Sequence, residues 1–354
     1  MPRSLLVTGG AGFIGANFVH YWMSAHPADR VVVYDALTYA GRRASLAALE
    51  NATQFHFVQA DICDRARVEA CLRDHQVDTV VHFAAESHVD RSISGPDAFI
   101  RTNILGTHSL LEAARSVWLS GDGMPHHFHH VSTDEVYGSL EPGEPAFDEN
   151  HRYAPNSPYS ASKAASDHLV RASFHTHGLR VTTSNCSNNY GPYHFPEKLV
   201  PLCLTNILRG RALPIYGDGS NIRDWLYVED HCRGIERVLE RGRVGEVYNI
   251  GGNNEWSNLD IVHLLCDALD ARLHADNSLQ RRFPDAPAAS GGSARDLVTF
   301  VADRAGHDWR YAIDAGKALR ELDYAPRETF ESGIARTIDW YLDNPAWWSP
   351  LLRD

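Results

Sequence analysis

Apolar residues come along this chain in short continuous runs, each followed by a stretch with helical spacing. SLLVTG leads into AGFIGANFVHYWMSA; RVVVYD and FHFVQAD follow, then the charged stretch DRARVEACLRDH, then DTVVHFAA, FHHVST and RVTTSN. A strand covered on one face alternates apolar and polar positions, whereas a strand covered on both faces reads as an unbroken apolar run. Runs of the second kind, separated by helices, predict βαβ units and a doubly wound parallel sheet with helices on both sides. After about residue 186 the rhythm changes. NNYGPYHFPEKL is loop-like, and LPIYGDGSNIRDWLYVEDHC reads as short extended pieces. SNLDIVHLLCDAL reads as a helix with Ser257 or Asn258 as N-cap. FPDAPAASGGSARD (283–296) has the composition of a mobile surface loop, and ETFESGIARTIDWYLDNP is a helix stopped by Pro345.

The 354 residues suffice for two ordinary domains, and 44% hydrophobic with 22% charged residues is normal for a globular chain. No apolar run approaches the roughly 20 residues that span a bilayer. MPRSLLVTGG runs straight into a glycine turn and does not read as a secretory signal. Cys63, Cys71, Cys186, Cys203, Cys232 and Cys266 are scattered without a C-x-x-C, as in a reduced, cytoplasmic protein. A formal net charge of −12 argues against general nucleic-acid binding. It also requires any anionic substrate to be met by locally placed cations.

VTGGAGFIG joins the first strand to the first helix, and its Gly9, Gly12 and Gly15 sit where a tight turn must let backbone approach a pyrophosphate. Asp35 closes the second strand, where an acid bonds a ribose 2′-hydroxyl and disfavours a 2′-phosphate. NAD is thus the expected cofactor, although Arg42 and Arg43 follow closely. The architecture is then a Rossmann-type α/β fold with a smaller C-terminal domain. Residues 1–186, with part of 222–250, form the NAD-binding unit, and 187–221 with 251–354 the substrate-binding one. Asp61 and Ile62 follow the third strand, on the adenine side. Ala84 and Ala85 end the fourth, small enough for a ligand to come close. Ser87 and Asp90 follow as ligand contacts or helix caps.

YSASK places Tyr159 and Lys163 at i, i+4 on one helix face. A phenol is too weak a base at neutral pH unless a neighbouring positive charge favours the phenolate. STDEVYG adds adjacent carboxylates, Asp134 and Glu135, beside Thr133 where a strand should end. Close carboxylates split their ionisation, so one can hold a proton while the other is charged. HHFHH (126–130) has no carboxylate or Cys spaced to complete a metal site, and no metal is expected.

The glycine turn, Asp35, Ser132–Thr133 and Tyr159/Lys163 resemble the extended short-chain dehydrogenase/reductase family. STDEVYG, YSASKAASDHLV, NCSNNYGPYHFPEKL, PIYGDGSNIRDWLYVEDH, DRAGHDWRYAID and ETFESGI resemble its dTDP-glucose 4,6-dehydratase branch over almost the whole chain. Two departures are Ala305, at a position usually held by proline, and the 276–296 stretch. The resemblance implies oxidation at C4 of a sugar, elimination of water across C5–C6 and reduction at C6. Thr133 then bonds the C4 oxygen, Tyr159 with Lys163 takes the hydroxyl proton, Glu135 takes the C5 proton and Asp134 protonates the leaving O6. It implies cofactor contacts from Phe13, Ile14, Thr102 and Asn189. It places the nucleotide sugar dTDP-glucose against Ser87, Asn188, Lys198, Leu199, Pro214, Tyr216, Arg223 and Asn258, with Arg304, His307 and Tyr311 beside them. Arg223 is suited to clamp the diphosphate, and Arg304, His307 and Arg310 form a second polar cluster. A homodimer through helices around 100–118 and 159–177 is also implied. The alternatives are an epimerase or dehydratase acting on a UDP- or GDP-sugar, and a non-catalytic NAD-binding sensor. A sensor would not need Tyr159 and Lys163, and an epimerase would not need Asp134 and Glu135.

Overall fold

A computed structural model describes residues 2–120 and 123–352. The first strands are β1 (Ser4–Thr8), β2 (Arg30–Asp35), β3 (Phe55–Gln59), β4 (Thr79–His82), β5 (His127–Thr133) and β6 (Val181–Cys186). A further strand, Val247–Ile250, pairs beside β6, giving a seven-stranded sheet in the order Val247–Ile250, β6, β5, β4, β1, β2, β3. Every pairing in it is parallel. The inner strands are buried on both faces, the apolar run SLLVT and the largely polar VTTSNC alike. Phe18, Val19 and Trp22 from the first helix (Phe13–Ala25) cover one face, together with Cys232, Ile235 and Leu239 from helix Val228–Arg241. Val68 and Leu72 (helix Arg65–Asp74), Leu110 and Trp118 (Thr107–Trp118) and Val170 (Pro158–His177) cover the other. The strand order reverses between β1 and β4, the point at which such sheets open a crevice beyond their carboxyl ends.

The later segments build a second core. Asn188–Tyr190, Ile222–Tyr227 and Glu255–Ser257 form a three-stranded sheet, and Leu213–Tyr216 pairs in parallel with Val298–Val301. Val200, Leu204, Leu265, Leu269, Phe330 and Ile338 pack between them and three helices. Ser257 is the N-cap of helix Asn258–Ala275, accepting from the Asp260 amide at 3.1 Å. The helix Phe330–Asp343 ends just before Pro345.

The 283–296 segment is not a mobile loop. Phe283, Ala286, Ala288 and Ala294 are buried in the second core. Short 3-10 turns cover Pro287–Ser290 and Ala294–Leu297, and Asp270 accepts from the Ala294 amide and the Ser293 hydroxyl. Alanines that read as loop composition are here small enough to lie under helix Asn258–Ala275. The stretch Ile100–Gly106, expected as ordinary helix, is a π-helical turn. Its extra width lets Asn103 bond both the amide (2.9 Å) and the carbonyl (3.0 Å) of Glu86, and Ser162. Among the described residues no helix is long and apolar enough to cross a membrane.

Candidate active site

The cleft beyond β1 and β4 has a volume of about 540 Å³. Its inner wall is the glycine turn. A Cβ on Gly15 would lie 2.3 Å from the Gly9 carbonyl oxygen, and one on Gly9 would lie 2.6 Å from the Ala84 amide, so side chains here would close the cradle. Asp35 accepts from the Ala11 amide at 2.9 Å and the Leu37 amide at 2.8 Å. It therefore anchors the turn, and each oxygen keeps a lone pair for a ribose hydroxyl. Arg43 is held by Glu50 at 2.8 Å and stacks over Phe57, and neither Arg42 nor Arg43 lines the cleft. The open cradle, the acid and the small Ala84–Ala85 step fit a dinucleotide whose ribose lacks a 2′-phosphate.

The reactive half lies where β5 ends. Thr133 closes the strand and caps the 3-10 turn Asp134–Tyr137, accepting from the Glu135 amide and donating to Asp134 Oδ1, both at 3.3 Å. Gly138 ends that turn at φ +96°, where a Cβ would meet the Ala154 carbonyl at 2.5 Å. The two acids differ. Asp134 is 1% exposed and its Oδ2 has no partner. Burial and the adjacent Glu135 hold its carboxyl well above the usual range. Burial also raises Glu135, but Lys198, Arg223 and Arg304 pull it back. The cations favour the ionised form of Glu135, and burial with the neighbouring Glu135 favours the protonated form of Asp134.

Tyr159 and Lys163 project from helix Pro158–His177, which Pro158 opens and a Ser157/Ser160 capping box fixes. The buried Lys163 ammonium donates to the Val131 carbonyl at 2.8 Å, and burial lowers its pKa. Burial, and then Glu135, push the Tyr159 phenol well above its usual range. Lys163 alone does not make it a base, because the ammonium is engaged by a carbonyl and an acid sits opposite. A second positive charge, which a nicotinamide ring would bring, is required.

Across the cleft, Arg223 donates to the Ile222, Asp308 and Trp309 carbonyls and stacks on the Tyr311 ring at 4.2 Å. None of those partners is an anion, so its charge faces the cleft uncompensated by a hydrogen-bonded carboxylate. Lys198 donates to the Ser87 carbonyl at 2.8 Å.

Every residue nominated from the sequence as catalytic, cofactor-binding or substrate-binding lines this one cleft. Arg310 does not belong with Arg304 and His307: it is bonded bidentately to Glu255 at 2.6 and 2.8 Å, away from the cleft. The sequence reading also missed the contacts that join the two walls. His194 stacks on Phe13 at 4.0 Å, Tyr39 and Arg91 meet Glu197 at 2.9 and 3.2 Å, and Tyr216 and Arg304 meet Asp90 at 3.2 and 3.4 Å. The aromatic and charged density of YHFPEK was the available signal. In HHFHH, the described geometry puts His129 on Thr182 and Ser184, and His130 on Asp167.

Residues 6–337 match the family model described as GDP-mannose 4,6 dehydratase. A dTDP-glucose 4,6-dehydratase of Neisseria meningitidis is 52% identical over 356 aligned residues, spanning 99% of this chain and 96% of the relative. The dTDP-glucose 4,6-dehydratase DesIV of Streptomyces venezuelae, crystallised with NAD, superposes with a TM-score of 0.88 at 47% identity, over 99% of this chain and all of that one. A UDP-glucose 4-epimerase of Thermotoga maritima shares the fold (TM-score 0.81; 97% of this chain, 100% of that one) at 25% identity.

Proposed function

This chain belongs to the GDP-mannose 4,6 dehydratase family of extended short-chain dehydrogenase/reductases, and on that premise we propose that it converts dTDP-glucose to dTDP-4-keto-6-deoxyglucose with NAD. The observation that carries the reading is the Asp134–Glu135 pair in one cleft with Tyr159, where burial and Glu135 raise the Asp134 carboxyl while Lys198, Arg223 and Arg304 favour the ionised form of Glu135. A 4-epimerase, which only oxidises and re-reduces C4, has no step for either.

The residues that would hold NAD are Gly9, Gly12, Phe13, Ile14 and Gly15 at the pyrophosphate, Asp35 at the ribose, Asp61 and Ile62 at the adenine, and Ala84, Ala85, Thr102 and Asn189 toward the nicotinamide. When bound, NAD takes up a hydrogen with its electron pair from C4 and gives it back at C6, so the conversion is redox-neutral. Thr133 and Tyr159 hold the C4 oxygen, and Tyr159 takes its proton. Once C4 is a ketone, the C5 proton is acidic, and Glu135 removes it. Asp134 delivers its proton to O6, which leaves as water. The proton that Glu135 took returns to C5 as C6 is reduced, the proton taken by Tyr159 makes good the one that Asp134 gave up, and the net balance is loss of one water. Arg223 clamps the diphosphate, with Arg304 and His307 on the same side. Asn188, Lys198, Leu199, Pro214, Tyr216, Asn258, Tyr311 and Ser87 enclose the sugar and nucleoside.

Residues 1–186 with part of 222–250 serve as the NAD-binding unit and the remainder as the substrate-binding one. Ile93, Ile100 and Leu105 are large apolar residues left exposed near helix Thr107–Trp118. They support a homodimer through helices 100–118 and 159–177. Light scattering at micromolar concentration is expected to give twice the chain mass; a stable monomer overturns the dimer.

The function is tested by incubating the purified protein separately with dTDP-, UDP- and GDP-glucose. Alkali-developed 4-keto absorbance should appear with the dTDP sugar. Product from dTDP-glucose that retains its 6-hydroxyl would instead make this an epimerase.

A further inference from the structure

Two fully buried asparagines stand side by side at the edge of the main sheet. Asn185 on β6 and Asn249 on the strand Val247–Ile250 are partners in register. A buried amide is costly unless its hydrogen bonds are made. Here both side chains turn to one phenol. Asn185 Nδ2 donates to the Tyr137 hydroxyl at 2.9 Å, and that hydroxyl donates to Asn249 Oδ1, also at 2.9 Å. Asn249 Nδ2 in turn donates to the Phe147 carbonyl at 2.9 Å. Burial pushes the Tyr137 phenol above its usual range, so it stays a neutral donor. Its ring is buried as well, stacked on Phe147 at 5.2 Å and set edge-on to Tyr153 at 5.3 Å. Tyr137, Asn185 and Asn249 do not line the cleft.

We infer that Tyr137 is a positioning residue of the elimination step: its phenol, tied to Asn185 and Asn249, holds the turn in the orientation that presents Asp134 and Glu135 to the substrate. Tyr137 is the last residue of the 3-10 turn that carries both acids. Side chains three apart in such a turn eclipse. Fixing the ring at 137 therefore fixes the rotation of Asp134, and with it that of Glu135, the next residue. The acids themselves hold the turn weakly. The Thr133 hydroxyl meets the Glu135 amide and Asp134 Oδ1 at 3.3 Å each, and Asp134 Oδ2 has no partner among the described residues. The Ala154 amide adds one backbone bond, to the Val136 carbonyl at 3.0 Å. The redox pair is held separately. Tyr159 and Lys163 stand on helix Pro158–His177, and Lys163 is tied to the Val131 carbonyl. Loss of the Tyr137 hydroxyl thus loosens the acid pair, leaves Asn249 Oδ1 without its donor in a dry site, and leaves the redox pair in place.

The inference rests on the dehydratase reading. Turnover of dTDP-glucose by the wild-type protein decides that reading, and the ratio of two steps in a variant decides this one. Tyr137→Phe keeps the ring and its stacking and removes only the hydroxyl. The NAD-loaded variant is mixed with dTDP-glucose, and bound NADH is followed by its absorbance. C4 oxidation, read as the initial rise, should stay within about threefold of wild type, while loss of water slows about tenfold or more. NADH should therefore stand higher during turnover than it does in wild type. A residue that only stabilised the fold would lower the melting temperature and the amount of active enzyme and leave the ratio of the two rates unmoved. An unmoved ratio overturns the inference. Asn249→Ala breaks the same bond from its other end and serves as an independent variant should the first not fold. It should show the same build-up of NADH, and an unmoved ratio there counts equally against the inference. The two substitutions together should shift the ratio no further than either alone. Full additivity would place Tyr137 and Asn249 in separate roles and overturn the shared tie.

Discussion

Glu135→Gln should lower turnover by about a thousandfold and abolish exchange of the sugar's C5 hydrogen with deuterated water. Glutamine keeps the side chain's length but cannot accept the proton. The charges around position 135 are arranged for an anion: Lys198, Arg223 and Arg304 all favour the ionised carboxylate. Asp134→Asn should impair the same overall reaction differently. Burial and Glu135 favour its protonated carboxyl, so the asparagine removes a donor and leaves the base in place. C5 exchange should persist while departure of the 6-hydroxyl slows. A 6-fluoro analogue, whose leaving group needs little protonation, should restore elimination in Asp134→Asn and not in Glu135→Gln. Rescue of Glu135→Gln instead would reverse the two roles, and normal turnover in both variants would make the pair a structural turn. The sign of the pH dependence follows. Activity is lost at low pH as Glu135 gains its proton and at high pH as Asp134 gives its proton up.

Tyr159→Phe should be comparably severe. The phenol lines the same cleft as Thr133 at the end of β5, and the only change is loss of one oxygen. Binding of the sugar nucleotide, measured calorimetrically, should stay within about threefold, because the diphosphate clamp is on the opposite wall; turnover should fall by about two to four orders of magnitude. Turnover near wild type would remove Tyr159 from the base role. Because the phenol is held well above its usual range before ligands bind, activity should fall steeply when the Lys163 charge is removed by Lys163→Met.

The redox and elimination groups were legible in the sequence because each set is local. Tyr159 and Lys163 are one helical turn apart, and Thr133, Asp134 and Glu135 are consecutive, so backbone geometry alone brings them together. The parallel sheet was legible for a similar reason: strands buried on both faces leave unbroken apolar runs. What escaped depends on pairings distant along the chain. Phe13 meets His194, Asp90 meets Arg304, and Glu255 takes Arg310 out of the cluster assigned to it. Composition also misled at 283–296, where alanines serve as packing residues under a helix rather than as loop filler. The π-turn at 100–106 left no periodicity signal, since its hydrogen bonds shift by a single residue.

The return of the chain to the main sheet at Val247–Ile250 constrains the order in which the protein can be made. β6 is complete by Cys186, but its outer neighbour is encoded only after the strands Asn188–Tyr190, Leu213–Tyr216 and Ile222–Tyr227 of the other sheets. On the ribosome, β6 therefore waits as an open sheet edge with unpaired backbone groups, the kind of surface that recruits foreign strands. The nascent nucleotide-binding unit cannot close before residue 250 emerges. A ribosome stalled between those points would hold an incomplete sheet with its aggregation-prone edge exposed, and a chaperone would find its target there rather than at the earlier strands.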